Sequence, residues 1–299
     1  MCPMGGHFFM WGQFMGVKKP TTFNEQVENI KLKGFTVDDE DFCKNFFMRV
    51  NYYRFSAYLL PFRKPDKTFL TGVKFAQAYK MYEFDNKMRN LIFSIVEEIE
   101  LFLRTQLAYF NSHKYGPLGY KDKNNFGVKH NHERFQKLLN NVIDTNNSTL
   151  VVKHHKATYG GEFPLWVVIE FFSTGMLSYF YSDMLLADKK IIAKQLFNAT
   201  PKQLDSWVRC VTDLRNRCAH YSRLYYWNFP AVPAIPHGFN YVASRKLFDQ
   251  ILVLKFLYND IVRWNKRFVN DLKALIDEYS EWVDLVHIGF PIEWEKILK

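Results

Sequence analysis

Residues 214 to 224 read LRNRCAHYSRL, placing Arg215, Asn216 and His220 together with Arg217 and Arg223 close by. These residue types suit cleavage of RNA without a metal ion. An imidazole with an ordinary pKa of about 6.5 can both accept and return a proton near neutral pH. RNA brings its own nucleophile, the 2′-hydroxyl, so a base that removes that proton drives attack on the adjacent phosphate. An acid must then protonate the departing 5′-oxygen. Arginine offers a planar fork of donors that holds the phosphate and stabilises the extra charge of the transition state. Asparagine can hold one histidine tautomer or touch the sugar.

The residues must also reach one another. On an ideal helix His220 lies about 40° round from Asn216, about 60° from Arg217 and Arg223, and about 140° from Arg215. Asn216, Arg217, His220 and Arg223 are therefore expected to share a face, with Asp213 two turns back. Arg215 must reach round or meet the histidine of a second copy. A two-fold dimer would supply both histidines, one for each proton transfer. The spacing alone carries little weight, because histidines near arginines on helices are usually surface or capping residues.

The elements that would position this stretch read as helices. TTFNEQVENIKLKG is a short helix stopped by Gly34, and Asp38 caps a second through about Val50. NYYRFSAYLLPF ends at Pro61. The longest helical pattern runs from about Val73 to about His113 and is expected to break once. In it Leu91, Ile95, Ile99, Phe102, Leu103, Leu107 and Phe110 recur at helical spacing. Residues 114–132 form a polar loop, a helix spans about Glu133 to Asp144, and a loop carries Lys153, His154, His155 and Lys156. PLWVVIEFFSTGMLSYFYSDML is one core helix with proline in its first turn. Thr200-Pro201 starts the helix that carries the motif. Pro230, Pro233 and Pro236 mark an extended crossing segment, and a long helix is expected from about Ser244 to Tyr279.

Composition fits an all-helical protein. Of 299 residues 48% are hydrophobic and 29 are Phe, enough to build a large core and to exclude a disordered chain. Only 14 Gly and 11 Pro are few for a turn-rich β fold. The net charge of +10 favours polyanionic partners such as nucleic acid. The cysteines, Cys2, Cys43, Cys210 and Cys218, show no zinc spacing and fit a reducing, cytoplasmic compartment. No run approaches the ~18 apolar residues of a membrane span, and no membrane partner is expected. Residues 1–17 read as a loose extension, with Met15 an alternative start, and residues 18–299 as one domain.

LRNRCAHYSRL resembles the signature of the Abi-like family, the AbiD/AbiF group of bacterial abortive-infection proteins within the HEPN superfamily. The likeness extends in order through KPTTFNEQVENIKLKGF, NYYRFSAYLLPF, FDNKMRNLIFSIVEEIELFLRTQLAY, KYGPLGY, PLWVVIEFFSTGMLSYFY and GFPIEW. It implies an all-α HEPN-type helical bundle with additional N-terminal helices, and a homodimer with a composite RNase site. Arg215 and His220 match the paired catalytic positions of the superfamily's R-x4-6-H motif, and Asn216 the polar residue that often follows the arginine. Tyr221 departs from the pattern, where a second histidine is expected. The resemblance further implies an endoribonuclease toxin of phage defence, without cofactor or metal, in the bacterial cytoplasm. Its cuts would leave 2′,3′-cyclic phosphate and 5′-hydroxyl ends, and some relatives are encoded with a small structured RNA that would restrain them. The rival reading is a non-catalytic HEPN module that grips such an RNA.

Other residues have two readings each. Arg104 either contacts phosphate or pairs with Glu100 at i,i+4, and the pair is the commoner outcome. Tyr52, Tyr53 and Arg54 could stack on bases but more often such a cluster packs. His130 with His132, or His154 with His155, lack the ligand spacing of a metal site. Arg217, Arg223, Lys153 and Lys156 are candidates for holding an RNA backbone.

Overall fold

The computed structural model describes residues 19–299, so the expected N-terminal extension and alternative start lie outside the described residues. Every regular element among the described residues is helical, and extended pairing is limited to three isolated bridges. The chain is all-α. Its contacts divide it into two compact units, one ending at Ala76 and one spanning Gln77–Lys299.

The first unit holds helix α1 (Phe23–Leu32), α2 (Glu40–Arg49) and the short α3 (Tyr52–Ser56), followed by a 3-10 segment, Ala57–Phe62. Thr22 and Glu25 form a reciprocal capping box on α1, and Gly34 takes the left-handed conformation just past its end. Asp39, one residue later than expected, caps α2 by accepting from the Phe42 amide. Phe46, Phe47, Phe55 and Phe75 meet edge-on or tilted around a buried centre. Tyr52 lies against Phe47 and its hydroxyl accepts from Lys33, whereas Tyr53 is 86% exposed, so the tyrosine cluster divides between packing and surface.

Helix α4 (Phe75–Tyr115) is continuous over 41 residues, without the expected break. Phe84, Met88, Ile92, Ile95, Ile99, Leu103 and Leu107 form its buried stripe at spacings of three and four. Nothing in that register shifts face, and no proline interrupts it, so no break is required. Helices α5 (His132–Thr145) and α6 (Leu150–Thr158) follow; Lys153 to Lys156 are thus helical rather than in a loop, because Thr149 caps the Val152 amide and starts a helix there.

The expected single helix from Pro164 is two. Helix α7 (Leu165–Val168) runs through a 3-10 turn and stops, and α8 (Thr174–Asp183) starts afresh. Pro164 sits at the cap, one position outside α7. The break has a side-chain cause. Arg104 Nη1 donates to the carbonyls of Ile169 at 2.6 Å and Glu170 at 3.0 Å, and Ser173 accepts from the Met176 amide. Those groups satisfy the two helix ends that the break exposes.

Helix α9 (Leu186–Phe197) closes on left-handed Asn198, and α10 (Pro201–Ala219) begins with a Thr200–Gln203 capping box and Pro201 in its first turn. Leu204, Trp207, Val208, Val211, Leu214 and Cys218 bury one side of α10, which packs on α8, α9 and helix α11 (Leu247–Leu257). α11 is buried on every side from Leu247 to Leu254, making it the centre of this unit. The proline-bearing segment crosses α10 and α11 in extended form. Trp207 Nε1 donates to the Ala234 carbonyl and Gln250 Nε2 to that of Ala231.

The expected long helix over 244–279 is also interrupted. Buried Asp249 accepts from the amides of Ser244 and Arg245 and from the Tyr241 hydroxyl, delaying the start of α11 to Leu247. After extended Tyr258, Asp260 caps helix α12 (Ile261–Arg263), which passes through a π-helical stretch at Trp264–Val269 into α13 (Asn270–Glu278). Helix α14 (Trp294–Leu298) closes the chain, where Trp264 Nε1 donates to the Leu298 carbonyl.

Candidate active site

The motif occupies the last turn of α10 and the bend after it. α10 ends at Ala219, with His220 as its cap residue and Tyr221 at φ 54° in the left-handed region. The Tyr221 amide donates to the Cys218 carbonyl and the Ser222 amide to that of Arg217. This is the paired bonding of a Schellman end, usually built on glycine, here formed around tyrosine. A side chain in that region costs on the order of 1–2 kcal/mol. Tyr221 therefore shapes the turn that presents His220.

That bend is held from α4. Asp85, fully buried, accepts from the amides of Leu224 and Tyr225, the latter at 2.8 Å, and from Arg89 Nη1 at 2.7 Å. Arg89 is 4% exposed and also reaches the Ser222 carbonyl at 3.5 Å. One buried i,i+4 pair of α4 thus fixes the chain just beyond the histidine. The role of this pair was not foreseen, although its D-x-x-x-R spacing was there to be read.

Arg215 points away from the bend, into a cleft of about 370 Å³ between α4 and the 169–171 turn. Its Nε lies 3.4 Å from Glu100 Oε2, an ion-pair distance without hydrogen-bond alignment, and its guanidinium lies 6.0 Å from the Phe93 ring centre. Glu100 is itself oriented on both oxygens: Arg104 Nη2 donates to Oε1 and the Thr174 hydroxyl to Oε2 at 2.8 Å. Arg104 is 8% exposed and committed to Glu100 and two carbonyls, so the ion-pair reading holds. It serves to position Glu100 and, through it, Arg215. Glu97 and Glu170 line the same cleft.

Asn216 on α10 and His220 at its cap are exposed, and their side chains form no hydrogen bond with the described residues. No hydrogen bond joins Arg215 to His220, in keeping with their angular separation on the helix. The shared face expected for Asn216, Arg217, His220 and Arg223 is only partly formed. The helix stops before Arg223, whose carbonyl instead accepts from Arg217 Nη2 at 3.0 Å. Arg217 is half-buried with its guanidinium 3.9 Å over the Trp227 ring, a stacking that folds residues 223–229 back on α10. Burial, opposed by the nearby carboxylate of Asp213, lowers the pKa of Arg217 from its ordinary value. Burial likewise raises that of Asp213, whose Oδ2 has no hydrogen-bond partner.

Lys153 and Lys156 lie exposed on α6; Lys156 donates to Asn147 at 3.1 Å, and no hydrogen bond or ion pair links α6 to the motif. The histidine pairs are engaged locally. His130 Nδ1 bonds Asp183 at 2.9 Å and its ring stacks on Phe126, while His155 Nδ1 bonds the Glu162 carbonyl and its ring stacks on Phe163. Cys43, Cys210 and Cys218 are buried, and burial pushes each thiol up to about 12. No described helix is long and apolar enough to cross a membrane.

No curated protein and no solved structure matches the chain. The family model described as Abi-like protein matches residues 45–226, a span that contains α4, the Arg215 cleft and the whole 214–224 motif, and the chain belongs to that family.

Proposed function

We propose that this chain is a metal-independent endoribonuclease of phage defence, a HEPN-type toxin acting in the bacterial cytoplasm. Membership of the Abi-like family supports a role in abortive infection. The observation that carries the chemistry is the division of labour along α10. A guanidinium held by an oriented carboxylate faces a cleft, and an unengaged imidazole is presented on a bend locked by Asp85. His220 takes or returns the proton, Arg215 holds the phosphate and stabilises its extra charge, and Asn216 orients the imidazole or sugar. The 2′-hydroxyl is the nucleophile, so the products carry 2′,3′-cyclic phosphate and 5′-hydroxyl ends. Because Arg215 and His220 do not meet within one chain, the working unit is a homodimer in which the arginine of one copy serves the histidine of the other. A small structured RNA is proposed as its restraint.

The test is cleavage of total cellular RNA in excess EDTA by the native protein, Arg215→Ala and His220→Ala. Loss of an acid–base group costs about 10²–10⁴ in rate and loss of a transition-state donor about 10²–10³, so both variants should fall at least 100-fold while keeping their fold. Cleavage by all three alike, or by none after co-purified RNA is stripped, would overturn the proposal. The pairing of Arg215 with Glu100 favours one second reading, a non-catalytic module that binds a guide-like or antitoxin-like RNA. RNA held by all three proteins and cut by none would support it.

A further inference from the structure

A second cleft, of about 680 Å³, lies at the opposite end of α10 from His220. Its charged lining is Lys129, Lys189, Lys190, Lys202 and Arg209, with Asp205 as the only acid among them. Lys189 is satisfied: it pairs with Asp205 at 3.1 Å and donates to the Ser182 carbonyl. Lys129, Lys190, Lys202 and Arg209 are exposed and have no ion-pair or hydrogen-bond partner among the described residues. Four like charges gathered in one concavity repel one another, and an approaching polyanion removes that cost while releasing its own counterions. At the start of α10 the Gln203 and Thr200 amides are already taken up by the reciprocal capping box and Pro201 has none to offer, so the site is defined here by its cations.

The cleft is aligned with the motif. Lys202, Arg209 and Asn216 follow at intervals of seven residues, each about 20° from the last, and His220 returns to the line of Lys202 after about five turns. All four are exposed. The acid nearest this line, Asp213, is half-buried beside Arg217. At a rise of 1.5 Å per residue the track from Lys202 to His220 is about 27 Å long. At about 3.4 Å per stacked nucleotide that is about eight nucleotides.

We propose that the cleft formed by Lys129, Lys190, Lys202 and Arg209 is a distal binding site for a phosphodiester backbone. It grips RNA about five to eight nucleotides from the point where the same strand meets His220, the nearer figure counted from Arg209 and the farther from Lys202. The inference depends on the endoribonuclease reading only for the direction of the strand and for RNA as the polyanion. An acidic membrane is less suited to it, since a concave site and a straight 27 Å track fit a strand better than a flat surface.

The test uses the full chain and a 2′-O-methyl RNA 16-mer, which has no 2′-hydroxyl with which to cleave itself. Affinity is measured by fluorescence anisotropy from about 50 to 300 mM salt. Each phosphate contact contributes about 0.7 to the slope of log K against log salt for a single strand. Replacing Lys129, Lys190, Lys202 and Arg209 with alanine should therefore lower that slope by about 2.8. A 4-mer can occupy the cleft or the His220 end but not both, so it should bind the native protein with a smaller slope than the 16-mer does. Exchanging the three lysines for arginine and Arg209 for lysine should preserve the native slope. Equal 16-mer slopes for native and alanine proteins would overturn the proposal. So would an unchanged RNA slope combined with lost binding to phosphatidylserine vesicles, which would assign the patch to a membrane. The two readings separate cleanly. A steep, cleft-dependent slope without any cleavage leaves the cleft standing and removes the nuclease. His220-dependent cleavage with equal slopes does the reverse.

Discussion

Replacing Asp85 with alanine should be among the most damaging single changes in this protein, although Asp85 touches no candidate catalytic residue. Its carboxylate is fully buried and accepts from Arg89 at 2.7 Å and from two backbone amides, those of Leu224 and Tyr225. Removal leaves a buried guanidinium without its counter-charge, which by itself costs about 3–5 kcal/mol. Each orphaned amide adds up to about 1–3 kcal/mol, though such costs overlap when one network is broken. Arg89 keeps its contact with Asn86 at 3.2 Å, which moderates the loss. A net destabilisation of about 4 kcal/mol follows, against a typical total of about 5–15 kcal/mol. For a unit of this size that corresponds to a fall in Tm of about 8–16 °C. Thermal and urea melts followed by circular dichroism measure it. Asp85→Asn keeps an acceptor for one amide and should lose less. Asp85→Leu combined with Arg89→Met, which removes both charges, should recover part of the loss. A cost below about 1 kcal/mol for Asp85→Ala would refute the assignment of this pair as the anchor of the bend, as would a double variant no better than the single one.

Three further outcomes follow from the same geometry. Glu100→Gln keeps the shape that Arg104 and Thr174 hold but removes the charge facing Arg215; RNA cleavage should fall about tenfold, equivalent to about 1.4 kcal/mol, while binding of uncuttable RNA is retained or tightened. Asp213→Asn should stabilise the protein near neutral pH. Burial holds the Asp213 pKa above its unfolded value of 3.8, so the folded state retains the proton longer and stability declines as pH rises through that window. The advantage of Asp213→Asn should therefore vanish in melts below pH 3.8, where both states are protonated. In a Cys2→Ser background, the thiols of Cys43, Cys210 and Cys218, pushed up to about 12 by burial, should resist a disulfide reagent at about pH 8 until denaturant is added.

What the sequence determined by itself was local. The capping boxes at Thr22 and Thr200, the stop at Gly34 and the three-and-four spacing of the α4 core all act within a turn or two. The Glu100–Arg104 pair was legible because i,i+4 neighbours meet whenever a helix forms, and the R-x4-H motif because it is a contiguous string of residue types, although its arginine and histidine do not meet on the helix. Tertiary structure decided where those helices stop and which way their charges face. Buried Arg104 breaks the chain after Phe171 by taking two carbonyls 65 and 66 residues away, and buried Asp249 delays α11. Trp227 covers Arg217, which a bare helical wheel places beside the histidine, and the Tyr221 bend removes Arg223 from that wheel. Glu100 joins Arg215, and Asp85 holds Leu224, across more than a hundred residues of chain. The distal cleft gathers Lys129, Lys190, Lys202 and Arg209 from three separate segments. Helix periodicity and caps are short-range and survive in any context, whereas buried charge must find its partner wherever packing brings one. For this reason the motif could be read along the chain, while its anchors and its second charged cleft exist only in the folded bundle.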